Sequence, residues 1–197
     1  MAQILFDLES MQHEKTIFNF EKLFEQNKFD MIIEIGTAWG SLTVFFGVYG
    51  IIKHCAIYSF DIAHPQTLPR AYLTQEICDK LAINFICGDV FSSEISEKIK
   101  NLINSNGKCL VLCDGGDKIR EFNLFALSLK CGDVIMAHDY CYDKNPVKNM
   151  TPGHILPQYV EIQYSDIKDA ADKCNLEFHL NDNFDEVAWL CMKKKEA

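Results

Sequence analysis

The sequence predicts a doubly wound α/β fold on one mostly parallel seven-stranded sheet that ends in an antiparallel C-terminal hairpin. Three observations predict it. Short apolar runs alternate with segments of helical spacing, successive runs close on an acidic residue, and two strand-like runs end the chain with only a turn-rich NDNFD between them. Short buried strands alternating with amphipathic helices build parallel βαβ units, with helices on both faces of the sheet.

Residues 1–27 are expected to be a helical lead-in. Residues 28–35 (KFDMIIEI) form the first strand, stopped by Gly36, and residues 41–51 carry helical spacing. The second strand is expected at 55–61 (CAIYSFD), a helix at 75–81, and the third strand at 83–90 (INFICGDV). A helix at 92–103 leads to the fourth strand, 108–114 (KCLVLCD), and a helix at 118–129 leads to the fifth, 133–138 (DVIMAH). Residues 141–160 hold three prolines and are expected to be a loop or lid after that strand. Residues 165–174 read as a helix with Ser165 as its N-cap. The runs 176–180 and 186–192 then pair as the closing hairpin. With no internal repeat, residues 1–197 are expected to form a single domain.

Composition narrows the function classes. The chain has 19 Lys+Arg against 28 Asp+Glu, a formal charge of −9. A nonspecific nucleic-acid binder needs a cationic surface to release counterions, so no nucleic-acid partner is expected. No apolar run reaches the roughly 18 residues of a membrane span, and the acidic N-terminus does not resemble a secretory signal. The nine cysteines include no C-x-x-C pair, and several fall in apolar runs where a free thiol acts as a small hydrophobe. A reducing cytoplasm is the expected location.

The first chemical motif is Glu34-Ile-Gly36-Thr37-Ala38-Trp39-Gly40-Ser41, a glycine-spaced turn between a buried strand and a helix. Such a turn lets backbone pass close to a ligand and opens helix amides toward it. A dinucleotide fingerprint needs glycine where Ala38 stands, and the P-loop lysine is missing. Asp61 closes the second strand, Gly88-Asp89-Val90 the third, and Asp114-Gly115-Gly116 the fourth. Carboxyl ends of strands form the crevice in which open α/β sheets bind ligands.

The ordered set resembles the class I, Rossmann-like S-adenosylmethionine (SAM)-dependent methyltransferases, over about residues 28–192. The resemblance implies SAM as cofactor, cradled by Gly36, Thr37, Gly40 and Ser41. It places Glu34 toward the cofactor's amino-acid moiety, Asp61 on the ribose hydroxyls, and Asp89 with the Val90 amide on the adenine. Asp114 would neighbour the sulfonium.

A second motif joins Asp114-Gly115-Gly116-Asp117-Lys118 to His138-Asp139 at neighbouring strand ends. Converging carboxylates repel unless a cation or proton lies between them. This pairing resembles the metal-dependent small-molecule O-methyltransferases, especially the sugar O-methyltransferases and the cephalosporin-hydroxylase-like group. The resemblance implies a divalent metal, Mg, Mn or a softer ion, held by Asp114 and Asp139. His138 stands where those families place a carboxylate. Either the metal is softer and His138 ligates it, or His138 acts as a base or substrate contact, or no metal binds. The family's base position falls on Asp117, with Lys118 one residue later than the lysine of catechol-type relatives. Asp117 and His138 therefore rank ahead of Lys118 as base.

The expected activity is methyl transfer to a hydroxyl of a small molecule or sugar. The N-methyltransferase signature after the fourth strand is replaced by Asp-Gly-Gly-Asp, which favours oxygen acceptors. Two alternatives are an NAD-type nucleotide-binding oxidoreductase and a cofactor-binding, non-catalytic subunit. A homodimer is compatible with any of the three.

Overall fold

A computed structural model describes residues 3–5, 8–10, 12–67, 71–142 and 159–196. Its centre is β3 (Met31–Ile35), which pairs in parallel with β4 (Ala56–Asp61) on one side and β6 (Cys109–Cys113) on the other. Beyond β4 lies β5 (Ile83–Cys87), and beyond β6 lies β7 (Val134–His138), both parallel. The last strands are β10 (Leu176–Phe178) and β11 (Trp189–Lys194), and β11 runs antiparallel between β10 and β7. The sheet order is thus β10-β11-β7-β6-β3-β4-β5. Strand order reverses between β3 and β6, so the ligand crevice of such a fold opens at their carboxyl ends.

The central strands read as continuous apolar runs because both faces are covered. One face sets Ile33, Val111 and Ile135 under Ile99, Phe122 and Ile167. These come from α4 (Ser93–Ile103), α5 (Lys118–Phe125) and α6 (Tyr164–Lys173). The other sets Ile32, Leu110 and Met136 under Phe20, Phe46 and Phe184. These belong to α1 (Thr16–Gln26), α2 (Ser41–Lys53) and α7 (Asn181–Asp185). The remaining helix, α3 (Gln75–Leu81), precedes β5. Successive residues of a strand point to opposite faces, which is how one five-residue run feeds both layers.

Several expectations are corrected. The lead-in is helical only from Thr16; before it, β1 (Gln3–Leu5) and β2 (Leu8–Ser10) pair as an antiparallel hairpin. The third and fourth strands end at Cys87 and Cys113, so Gly88, Asp89, Val90 and Asp114 belong to the loops beyond them. The helix expected over 118–129 is α-helical to Phe125 and tightens to a 3₁₀ turn at Ala126–Ser128. The turn-rich NDNFD folds as α7, entered through Leu180 in the left-handed region at φ 51°. The N-cap of α6 is Gln163, not Ser165. Asp166 accepts the Gln163 amide at 2.9 Å, closing a capping box.

Most of the loop or lid expected at 141–160 lies outside the described residues. At its ends, β8 (Tyr140–Cys141) and β9 (Ile162–Gln163) pair beside the strand ends. All nine cysteines are free and six are buried, which suits their role as small core residues. Among the described residues, no helix is long and apolar enough to cross a membrane.

Candidate active site

Gly36 and Gly40 shape the turn between β3 and α2. Gly36 has φ +92°, and a Cβ there would run into the backbone carbonyl of Asp114. No other residue allows this close approach of two strand ends. Gly40, at φ +85°, sits at the N-cap of α2 ahead of buried Ser41. Asp61 pins the turn from the next strand. Its Oδ2 accepts the Thr37 and Ala38 amides at 2.8 and 3.1 Å, and its Oδ1 accepts the Ala63 amide at 3.1 Å. The carboxylate expected to grip ribose is therefore already engaged by the backbone, with spare capacity on Oδ1.

Glu34 lies on β3, fully buried. Its Oε2 accepts the hydroxyls of Thr43 at 2.6 Å and Ser59 at 2.5 Å, and Ser59 bonds in turn to Thr37. Burial pushes its pKa up to about 8, and the two hydroxyls only partly oppose the shift. Glu34 faces a small cavity of about 30 Å³ bounded also by Ser10, Gln12, Trp39 and Asp114. A groove of about 340 Å³ adjoins it, lined by Asp61, Asp89, Val90, Asp117 and Glu121. Gly36, Ala38 and Asp114 border both spaces. Asp89 is exposed and accepts the Phe91 amide at 2.9 Å, so its side chain folds onto its own loop. A larger cleft, about 500 Å³, follows the outer strand β5 and is lined by none of these groups.

Across the crevice, Asp114, His138 and Asp139 each bring a ligand atom within 4.8 Å of the others. His138 Nδ1 lies 3.0 Å from Asp114 Oδ1 and 3.7 Å from Asp139 Oδ1. Asp139 reaches this place from a left-handed backbone at φ 56°, a conformation that aspartate tolerates better than most residues. Burial pulls the imidazole toward neutrality, but the charge and hydrogen bond of Asp114, with Asp139 behind it, outweigh burial and raise its pKa.

Lys118 sits among these groups, only 6% exposed. Its Nζ is 2.6 Å from Glu161 Oε2, 3.2 Å from Asp139 Oδ2 and 3.9 Å from Asp114 Oδ1, and it donates to the Gly115 carbonyl at 3.0 Å. Burial opposes its charge, but Glu161 and the two aspartates prevail and raise its pKa. Asp117 has a different duty. Its Oδ1 accepts the Arg120 amide at 3.1 Å as the N-cap of α5, and its side chain is exposed. The cluster contains Lys118, while Asp117 caps the helix that carries it and also lines the groove.

The structure thus gathers the expected residues into two groups. Glu34, Gly36, Thr37, Gly40, Ser41 and Asp61 surround the turn, and Asp114, His138 and Asp139 face one another beside it. Asp89 and Val90 border the groove. Four further residues join that the sequence reading omitted: Gln12, Glu121, Glu161 and Trp189. Glu121 is buried, accepts the Gly115 and Asp117 amides, and has its pKa pushed up by burial to about 7. Its signal was readable. Lys118, Glu121, Phe122 and Phe125 recur at helical spacing, so two charges lie on the buried face of α5.

A model of the family Rhamnosyl O-methyltransferase/CmcI matches residues 5–163. A CmcI structure with Mg-SAM shares 14% identity and a TM-score of 0.66, covering 98% of this chain and 76% of that one. A CmcI structure with S-adenosylhomocysteine (SAH) also shares 14% identity, at a TM-score of 0.62, covering 98% and 82%. An SAH-bound methyltransferase of Podospora anserina shares 11% identity at a TM-score of 0.57, covering 91% and 77%. No curated protein sequence matches the chain.

Proposed function

Since the chain belongs to the Rhamnosyl O-methyltransferase/CmcI family, and is thus a SAM-dependent methyltransferase, we propose that it methylates a hydroxyl of a sugar or other small molecule with a divalent cation held by Asp114, His138 and Asp139. The observation that carries this reading is the charge count of the cluster. Asp114, Asp139 and Glu161 bring three formal carboxylates to the single ammonium of Lys118. With His138 neutral, as a ligating imidazole must be, the surplus is two negative charges, which one divalent cation neutralises.

The donor set fits such an ion. Octahedral coordination with bonds of about 2.1 Å places adjacent ligand atoms roughly 3 Å apart. The 3.0 and 3.7 Å separations around His138 Nδ1 are near that spacing. One imidazole with two carboxylates favours manganese, iron, cobalt or zinc over magnesium. When bound, the cation orients acceptor oxygens and lowers the pKa of the hydroxyl to be methylated.

The chain's own residues supply the rest. The transfer is an in-line displacement: the acceptor oxygen bonds the methyl carbon as the carbon–sulfur bond breaks and SAH leaves, so alignment supplies much of the rate. The hydroxyl proton passes to Asp117, which lines the groove, or to His138 where that imidazole is not a ligand. The Gly36 turn and the two joined cavities align SAM, with Glu34 at the amino-acid end and Asp61 and Asp89 toward the ribose and adenine. Asp114 borders both the groove and the cation cluster, which brings the methyl donor and the acceptor to one point. Lys118, held charged by its carboxylates, stabilises the negative charge that the acceptor oxygen carries once its proton has left. His138 is either a ligand or a base, because a ligating imidazole has committed its lone pair. The charge surplus favours the ligand role.

Calorimetry with SAM and with NAD(H), followed by SAH release from hydroxylated sugars and phenols with MnCl₂, tests the reading. SAM binding and Mn-dependent SAH release are expected, and Asp139→Asn should retain SAM while losing Mn and turnover. Full turnover in EDTA would sink the cation assignment. Tight NAD(H) binding without SAM binding would sink the whole reading.

A further inference from the structure

The cluster is tied to the N-terminal segment through one side chain that the resemblance does not account for. Gln12 lies between β2 and α1 and is buried. Its Nε2 donates to Asp114 Oδ2 at 3.2 Å, and its Oε1 accepts the indole N–H of Trp189 at 2.9 Å. Its own amide donates to Ser10 Oγ at 3.1 Å, which anchors the residue to the hairpin. A carboxylate oxygen only accepts and an indole nitrogen only donates, so both contacts fix the same orientation of the Gln12 amide.

One partner belongs to the cluster and the other lies beside it on the neighbouring strand. Asp114 follows β6. Trp189 opens β11 directly opposite His138 in the antiparallel register. The His138 ring lies 4.7 Å from the Trp189 ring at an interplanar angle of 32°. Gln12 therefore occupies Asp114 Oδ2 and leaves Oδ1 facing His138 Nδ1. At the same time it holds the aromatic surface against which His138 rests. It also borders the small cavity beside Glu34.

We propose that Gln12 is a positioning residue for methyl transfer, fixing the Asp114 carboxylate and the Trp189–His138 ring contact so that Asp114 Oδ1 and His138 Nδ1 hold the spacing a cation needs. The proposal rests on the cation reading above for its binding readout, but not for its geometric one. Outer partners of metal ligands typically contribute ten- to a hundredfold in affinity, and Gln12 contacts one ligand directly and the other through one ring.

The test compares wild type with Gln12→Met, which keeps length and volume and loses both hydrogen bonds. Mn²⁺ uptake is read by electron paramagnetic resonance, SAM binding by calorimetry, and the Asp114 rotamer by crystallography. Gln12→Met should weaken Mn²⁺ by about ten- to a hundredfold, weaken SAM by a clearly smaller factor because Gln12 also borders the small cavity, and release the Asp114 carboxylate from its wild-type rotamer. Unchanged Mn²⁺ affinity would overturn the proposal. So would parallel losses of Mn²⁺ affinity, SAM affinity and melting temperature, the signature of a purely structural role. If wild type itself takes up no Mn²⁺, the cation reading fails on its own. Gln12 is then judged by the crystal structures, where an unmoved Asp114 refutes it. Gln12→Glu serves the same comparison should the Met variant not fold, since it keeps the indole contact and sets a second carboxylate against Asp114.

Discussion

The two halves of the crevice satisfy their carboxylates by different means. Around the glycine turn, acids are met by dipoles: Asp61 by three backbone amides, Glu34 by two hydroxyls, Glu121 by two amides. Across the crevice, acids are met by charges: Asp114, Asp139 and Glu161 by Lys118, and Asp114 also by His138. Backbone amides cannot leave, and the Thr43 and Ser59 hydroxyls are fully buried with Glu34, so the first half is a rigid cradle. A charged side chain can swing aside or be replaced by another cation, so the second half is exchangeable. This division suits a cofactor that always has one shape and an acceptor site that must bind, activate and release.

Removing the ammonium should break the contrast most strongly. Lys118→Met leaves three carboxylates facing one another beside the His138 imidazole. Losing one partner of a buried ion pair costs about 3–5 kcal/mol. We expect about 4 kcal/mol here, roughly a 10 °C fall in melting temperature for a domain of this size. MnCl₂ should restore much of the loss and bind the variant more tightly than wild type. Thermal unfolding with and without the ion measures both. If the variant is as stable as wild type, or if Mn²⁺ stabilises the two equally, the cluster is not governed by charge balance.

Glu34→Gln probes the other half, where protonation takes the place of a counter-charge. The folded protein holds a proton on Glu34 up to about pH 8, whereas an ordinary carboxylate loses it near 4.5. Between those values the native state binds one proton more than the unfolded chain, so the contribution of Glu34 to stability falls as pH rises. At about 1.4 kcal/mol per unit, the cost is on the order of 3 kcal/mol at pH 7. Glutamine fits the same two hydroxyls without ionising. The variant should melt above wild type at pH 7–8, and the gap should close toward pH 5. On the proposed placement of the cofactor's amino group opposite Glu34, its SAM affinity should fall as well. A gap that stays constant with pH would show that Glu34 ionises normally.

The same division explains what could be read from the chain alone. The cradle is local: Glu34, Gly36 and Gly40 fall within one short motif, and Asp61 and Asp89 follow from the rule that strand ends face the crevice. Their side-chain partners were less legible. Thr43 and Ser59 look like ordinary helix and strand residues until Glu34 is seen between them. The exchangeable half is assembled over distance. Gln12 meets Asp114 across 102 residues and Trp189 across 177, and Glu161 reaches Lys118 across 43. No spacing rule connects such positions. Asp117 and Lys118 were separable in principle, because the N-cap position and the buried face of α5 follow from its apolar period.

Glu161 makes the finest test, because its charge should matter for the ion and hardly at all for the fold. It is the exposed member of the cluster, 52% accessible, and its 2.6 Å contact with Lys118 lies at the rim. Solvent screens such a pair, and exposed ion pairs contribute about 0–1 kcal/mol. Glu161→Gln should therefore shift the melting temperature by less than about 2 °C. It also cuts the charge surplus from two to one. Mn²⁺ affinity should then drop by roughly three- to fivefold, the equivalent of about 1 kcal/mol at most, and the difference from wild type should shrink as salt screens the rim charge. Titrating Mn²⁺ into both proteins at low and high ionic strength separates this from direct coordination. A loss of a hundredfold or more, independent of salt, would make Glu161 a ligand itself and redraw the cluster with its centre displaced toward Lys118.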